Sequence, residues 1–242
     1  MLRKTAFGLI FIVAASLQPR AAQDFERSYA PVPGRHITID NEIGNVNVSG
    51  YDGEDIKIVA RKEGPDQEAI QIIDKSFGPH ILLLPMYPKF KSTKTKVDFE
   101  IKVPNSNPIF MELKSGSGRI EVKDFNGGLI AESSRGEVRC VNVKGFVFAR
   151  SVSGRLEAEI KQSQGRSQMR FTSMSGDIRI TAPKDLEALI DMKSRSGDLE
   201  TNFPIDIHQS RYGGNTARGK LGSGTQMLHI SSVSGNVTFL KK

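Results

Sequence analysis

The sequence predicts an all-β chain, a single-domain parallel β-solenoid with about 18 to 22 residues per coil and a less regular N-terminal part. Three observations carry that prediction. A short pattern recurs seven times, centred on Gly44, Gly118, Gly136, Gly154, Gly176, Gly197 and Gly235, and self-similarity at a near-constant period marks stacked repeat folds. Apolar and polar residues alternate on both sides of each of these glycines, which is the period of a half-buried strand and not of a helix. Composition agrees, since 23 glycines, no tryptophan and 7% aromatic residues suit a turn-rich chain whose core is not built on large rings.

The strands follow from four columns. Positions seven and five before each glycine run from Ile37 and Ile39 to Leu228 and Ile230, and positions two and four after it run from Val46 and Val48 to Val237 and Phe239. Of these 28 positions 27 are apolar, where the 38% hydrophobic content alone would fill about 11, and only Thr201 breaks the pattern. Each repeat is therefore two short strands joined by a tight turn. A single repeat has one buried face and no partner for it, so the repeats must stack.

The turns follow next. Three positions before the glycines stand Asn41, Ser115, Ser133, Ser151, Ser173, Ser194 and Ser232, read as a stacked ladder that bonds the turn backbone. The glycines themselves are expected to take positive φ in a sharp turn. Outward positions carry alternating charge: Arg119, Glu137, Arg155 and Asp177 one place after the glycines, and Glu121, Arg139, Glu157 and Arg179 three places after. Stacking in that order keeps like charges apart. The alternation fails once, where Asp198 follows Asp177 with Glu200 beside it.

Other segments are less regular. Residues 35–104 are read as irregular first coils and residues 105–242 as regular ones, within one domain spanning 23–242. Ile56 and Ile58 are expected to continue the first coil, and residues 66–77 to form a short helix or one arm of a hairpin with 81–84. Lys89, Lys91, Lys94 and Lys96 make a basic run beside a strand over 97–103, the composition of a solvated loop or guarded edge. Cys140 falls in an inward column and should be buried and inert. The longest interruption between coils runs from Asn202 to Met227. It carries Arg211, Tyr212, Arg218 and Lys220, the expected ligand-binding residues, although Phe203, Ile205 and Ile207 at strand-like spacing suit a cover for the core equally well.

Residues 1–22 have the form of a secretory signal peptide: Arg3 and Lys4, an apolar stretch from Ala6 to Ala15, then small residues. The stretch is shorter than the ~20 residues of a spanning helix, so the mature chain is expected to have no membrane span and to be exported to the periplasm, cell surface or medium. Removing it takes away Arg3, Lys4 and Arg20 and no acid, so the formal net charge falls from +7 to +4.

Catalytic motifs are sparse. His36, His80, His208 and His229 lack metal-type spacing with one another or with Cys140, and there is no nucleophile elbow or phosphate-binding glycine loop. No cofactor, metal or nucleic-acid partner is expected. The alternative with most chemistry in it is a polysaccharide-cleaving β-helix enzyme using Asp177, Asp198 and Glu200, because carboxylates stacked ~5 Å apart stand near the separation of a retaining glycosidase pair.

The segments Ser173-Met174-Ser175-Gly176-Asp177-Ile178 and Ser194-Arg195-Ser196-Gly197-Asp198-Leu199, with Gly219-Lys220-Leu221-Gly222-Ser223-Gly224 before the last repeat and the strand Val97 to Val103, resemble the bacterial putative-adhesin family of exported β-solenoid domains. Arg135-Gly136-Glu137 and Ser153-Gly154-Arg155 depart from its turn motif. The resemblance covers about residues 35 to 240 and implies a non-catalytic cell-envelope or surface protein, an adhesin-like binding or scaffold module, with anionic envelope polymers or surface glycans as partners.

Overall fold

A computed structural model describes residues 25–88, 94–161, 166–209 and 213–242. The signal segment lies outside the described residues, as do Lys89, Lys91, Arg211 and Tyr212. The described chain begins with β1 (Phe25–Tyr29), β2 (His36–Ile43), β3 (Val46–Tyr51), β4 (Ile56–Glu63), β5 (Gln71–Asp74), β6 (His80–Met86) and β7 (Lys96–Pro104). It continues through β8 (Ile109–Ser117), β9 (Ile120–Lys123), β10 (Asn126–Ser133), β11 (Val138–Ser151), β12 (Leu156–Ile160), β13 (Gln168–Ser173) and β14 (Ile178–Ala182). Then follow β15 (Ala188–Ser194), β16 (Leu199–Thr201), β17 (Ile207–Gln209), β18 (Asn215–Leu221), β19 (Gln226–Ser232) and β20 (Val237–Lys241).

Each coil places its strand before the glycine in one wall and its strand after the glycine in the other. Parallel in-register pairs link neighbouring coils, as in Ala131↔Ala149 and Arg139↔Glu157, and β11 bends from one wall into the other past Asn142 (φ 57°) and Gly145 (φ 102°). The solenoid is as expected, and all 27 apolar column residues are buried between the walls. Each large one contributes ~1.5–3 kcal/mol before chain entropy opposes it.

The spatial order of the coils is not their order in the chain. β19 pairs with both β13 and β15, and β20 with both β14 and β16, so the seventh repeat is inserted between the fifth and the sixth. The N-terminal end has a similar insertion: β6 and β7 lie outside β2 and β3, which pair on their other side with β8 and β9. The "irregular" segment is thus a full outer coil. Ile56 and Ile58 do not continue the first coil; they lie on β4, antiparallel to β7. A 3-10 turn at Gln67–Ala69 leads into β5, which makes a hairpin with β6.

The serine ladder forms as the sequence suggests. Ser151 Oγ accepts from the Gly154 N–H at 2.8 Å and donates to the Gly136 carbonyl of the neighbouring coil at 3.1 Å. Ser133, Ser194 and Ser232 bridge in the same way. Toward the outer N-terminal coil, Asn41 Nδ2 of β2 instead donates to the Val97 carbonyl of β7.

The reason for the glycines differs from the expected one. Only Gly44 among the seven takes positive φ, at 122°. At the other six the requirement is space: a Cβ on Gly154 would stand 2.0 Å from the Gly136 carbonyl oxygen, one on Gly136 1.7 Å from that of Gly118, and one on Gly235 2.2 Å from that of Gly176. Consecutive corners lie so close that no side chain fits between them. In the outermost coil the matching position is Val97, fully buried, with no further glycine corner to accommodate.

Coil order also explains the failed charge alternation. Asn236 and Thr238 stand between Asp177 and Asp198 and between Arg179 and Glu200. Elsewhere the expected pairs form, Arg119 with Glu137 at 2.9 Å and Arg139 with Glu121 at 3.0 Å, each contributing ~0.2–1 kcal/mol at the surface.

Two outcomes follow. Ser151→Ala leaves a part-buried N–H and a part-buried carbonyl without their hydroxyl partner and should cost about 1–2 kcal/mol in denaturant unfolding, and Gly154→Ala should cost more, because backbone must move. Burial pushes the Cys140 thiol up to about 12. Labelling of the native protein by a bulky thiol reagent should therefore stay slow and should not accelerate from pH 7 to pH 9, where a free thiol of pKa ~8.5 would ionise. Fast, pH-dependent labelling would show that the register is wrong.

Candidate binding surface

Along a strand, residues two apart share a face. In the wall built from the strands before the glycines, positions eight and six before each glycine therefore point outward. At the C-terminal end this wall is ordered β11, β13, β19, β15, β18. Its outward row eight before the glycines holds Phe146, Gln168, Met227 and Leu189, with Lys220 of β18 opposite Leu189. Phe146, Leu189 and Met227 are 41%, 44% and 48% exposed. They line an open groove of about 730 Å3 together with Arg166 and Gln168.

Cations surround this apolar floor. Arg166 lines the groove, and Arg170 stands two residues after Gln168. The stem of Lys220 closes one end: a Cβ on Gly224 would lie 3.1 Å from its Cε and 3.2 Å from Leu189 Cδ2. Among the described residues, the ion pairs of the protein do not involve Arg166, Arg170 or Lys220. Asp191 does not neutralise them, because it is bonded to Arg218 Nε at 2.9 Å and His229 Nδ1 at 3.0 Å. Burial alone raises the Asp191 carboxyl, but those two hydrogen bonds and charges outweigh it and hold the carboxyl below its ordinary value.

The opposite end of the same row is filled. Phe77, His80, His36 and Phe110 touch ring to ring at 5.1, 5.6 and 4.8 Å between centroids. The Phe110 ring covers Gly128, where a Cβ would meet it at 2.3 Å. His36 Nε2 is buried there without a hydrogen-bond partner.

Of the residues expected to bind, Arg218 and Lys220 lie on β18 at this surface, Arg218 already paired with Asp191. The long interruption is partly a cover for the core. Phe203 stacks on Phe239 at 4.5 Å, Ile205 is 9% exposed, and β17 and β18 extend the wall as antiparallel strands. Reasoning from sequence missed Phe146, Arg166, Gln168, Leu189 and Met227, although the columns before the glycines placed four of them at one outward position.

The acid trio is not the stacked cluster expected. Asp177 Oδ1 accepts the Asn236 N–H at 2.8 Å, and Asn236 Oδ1 accepts the Asp198 N–H at 2.9 Å. Two ladder steps, ~10 Å, separate the two aspartates, so the ~5 Å pair of a retaining glycosidase is not formed by them. Glu200 accepts instead from the Thr238 hydroxyl at 3.4 Å. Among the described residues, no group of three or more His, Cys, Asp or Glu side chains is placed to hold a metal ion.

The chain is similar in structure to a putative cell adhesion protein from Clostridium sporogenes, at 12% identity and a TM-score of 0.54, over 90% of this chain and 99% of that one. It is also similar to a putative adhesin from Bacteroides fragilis, at 16% identity and a TM-score of 0.45, over 89% and 96% of the two chains. No curated protein matches the sequence. The sequence profile of the Toastrack DUF4097 family matches residues 35–239, from the residue before β2 to the middle of β20. With its coils matched along that whole span, the chain belongs to the Toastrack DUF4097 family.

Proposed function

We propose that the protein is a non-catalytic, exported binding module of the cell envelope or surface, adhesin-like in role, that contacts anionic envelope polymers through the basic outer wall at its C-terminal end. The observation that carries this reading is the set of cations without ion-pair partners around an exposed apolar groove. Exposed apolar side chains in a contiguous patch favour an interaction, and unbalanced positive charge steers an anionic partner toward it. Arg218 and Lys220, with Arg211 and Tyr212 in the same interruption, belong to the proposed contact, Lys220 more directly than Arg218.

Several further observations support the reading. The structure similar at a TM-score of 0.54 is of a protein named for cell adhesion. The N-terminal sequence has the signal pattern, and among the described residues no helix is long and apolar enough to cross a membrane. The separated Asp177 and Asp198 weaken the polysaccharide-cleaving alternative. A rigid stack with one basic wall suits holding a polymer rather than cleaving it.

The test compares the protein with a variant carrying Arg166→Ala, Arg170→Ala and Lys220→Ala in binding to anionic envelope preparations. At about 0.2–1 kcal/mol for each of the three exposed contacts, the variant should bind roughly 3- to 150-fold more weakly at low salt. The gap should close as salt rises, because exposed charges are screened beyond ~8 Å at physiological ionic strength. Equal binding by the two proteins at low and high salt, with circular dichroism showing both folded, would refute the proposal.

A further inference from the structure

The groove has a direction. Its floor is made of residues at one equivalent position in successive coils, so it runs along the stack axis, across the strands. Phe146, Gln168, Met227 and Leu189 are consecutive steps of that row and Lys220 is the next. Steps recur every ~4.8 Å, close to the length of one pyranose unit in an extended chain. At one end the Phe110 ring over Gly128 closes the row. At the other the row ends on β18, whose outer neighbour β17 is only three residues long. An occupant lying in the groove therefore meets four to five coil steps and then runs out of floor.

Chemistry narrows the occupant. The floor is mostly apolar and one side chain wide, which suits the C–H faces of sugar rings. Among the described residues, Phe146 alone brings an aromatic ring to the groove, whereas single-stranded nucleic acid needs a platform for successive bases. A concave groove also leaves nothing protruding to enter a lipid bilayer. Polar atoms of Gln168 on the floor and of Ser167 and Thr225 at the side stand where ring hydroxyls would be. Arg166 on one flank and Arg170 on the other, with Lys220 at the end, are placed for acidic groups borne at intervals, and guanidinium groups match carboxylates in two-point hydrogen bonding.

We propose that this groove holds a carboxylated glycan, a chain of uronic-acid type, lengthwise along the solenoid with one sugar unit per coil. The inference rests on the reading of this wall as a polyanion-binding surface and adds the ligand class, its direction and its register. Phe146 and Met227 supply stacking area under the rings, Gln168 bonds ring hydroxyls, and Arg166, Arg170 and Lys220 take the carboxylates.

The experiment is a length series. Binding of oligoglucuronates from the disaccharide upward is measured calorimetrically, with neutral glucose oligomers and inorganic polyphosphate of matched lengths as separate arms. Affinity for oligoglucuronates should climb by about tenfold for each further pair of units engaged, since each pair adds a charge-assisted hydrogen bond, and should level off at four to five units. Phe146→Ala, at an exposed site, should lower oligoglucuronate affinity about tenfold and leave polyphosphate binding unchanged, and Met227→Ala should act in the same direction. Arg166→Ala should weaken both acidic ligands.

Three results would overturn the inference. If polyphosphate binds as tightly as oligoglucuronate of equal charge, or affinity rises with length without levelling, the wall attracts polyanions diffusely: the proposed function survives and the glycan register does not. If neutral oligomers bind equally well, the cations take no part in the groove. If none of the three ligands binds, the inference falls together with the polyanion-binding reading of the wall.

Discussion

The close contact at the glycine corner governs this structure. There a serine hydroxyl accepts its own coil's glycine N–H and donates to the glycine carbonyl of the next coil, while the absent Cβ lets that carbonyl approach. Each corner thus fixes both the height and the register of its neighbour. A one-residue slip would bury Arg139 and Glu157 and expose Val138 and Leu156, since side chains alternate faces. The apolar columns supply most of the favourable free energy, but they are nearly interchangeable from coil to coil. The corner ladder, with its requirement for adjacent glycines, is what specifies alignment.

Alignment gives the stack its functional surface. Because every coil sits in register, residues at one outward position become a straight row, and a row of exposed apolar side chains becomes a groove. The insertion of β19 between β13 and β15 brings Met227 between Gln168 and Leu189 and places His229 beside Asp191. In chain order Met227 would not have met Gln168, nor His229 Arg170. The same insertion interposes Asn236 between two aspartates and removes a like-charge contact. Both ends of the solenoid carry antiparallel strands, β4, β1 and β5 at one end and β18 and β17 at the other. They occupy edges that would otherwise offer unpaired backbone to another chain.

Much of this was legible in the sequence, and the parts that were not share a cause. The alternation around each glycine reports burial directly, so columns, strands and turns could be read locally. Spatial order could not, because any coil with apolar columns and a serine corner can pack on any other. One trace of it existed. Asp177 and Asp198 would have repelled each other as neighbours, and only the repeat of Asn236 and Thr238 offered neutral residues to separate them. The glycines misled for a related reason: their requirement comes from a neighbouring coil and not from their own φ. The outer coil at Val97 was hidden because its corner lacks both glycine and serine. The groove was missed because the outward position eight before the glycines carries no Asp, Glu, Lys or Arg, so it drew less notice than the alternating charges after them.

The most direct test of the account is disulfide trapping of neighbouring coils in a protein carrying Cys140→Ala. Arg179→Cys with Thr238→Cys puts two thiols on strands that pair in register, within the ~4.4–6.8 Å between Cα atoms that a disulfide spans. Arg179→Cys with Glu200→Cys puts them on strands that would be adjacent only if the coils stacked in chain order. With the seventh repeat inserted, the first pair closes rapidly and nearly completely under mild oxidation and the second does not close in the folded protein. The reverse outcome would contradict the inserted coil and, with it, the row of residues on which the binding surface depends.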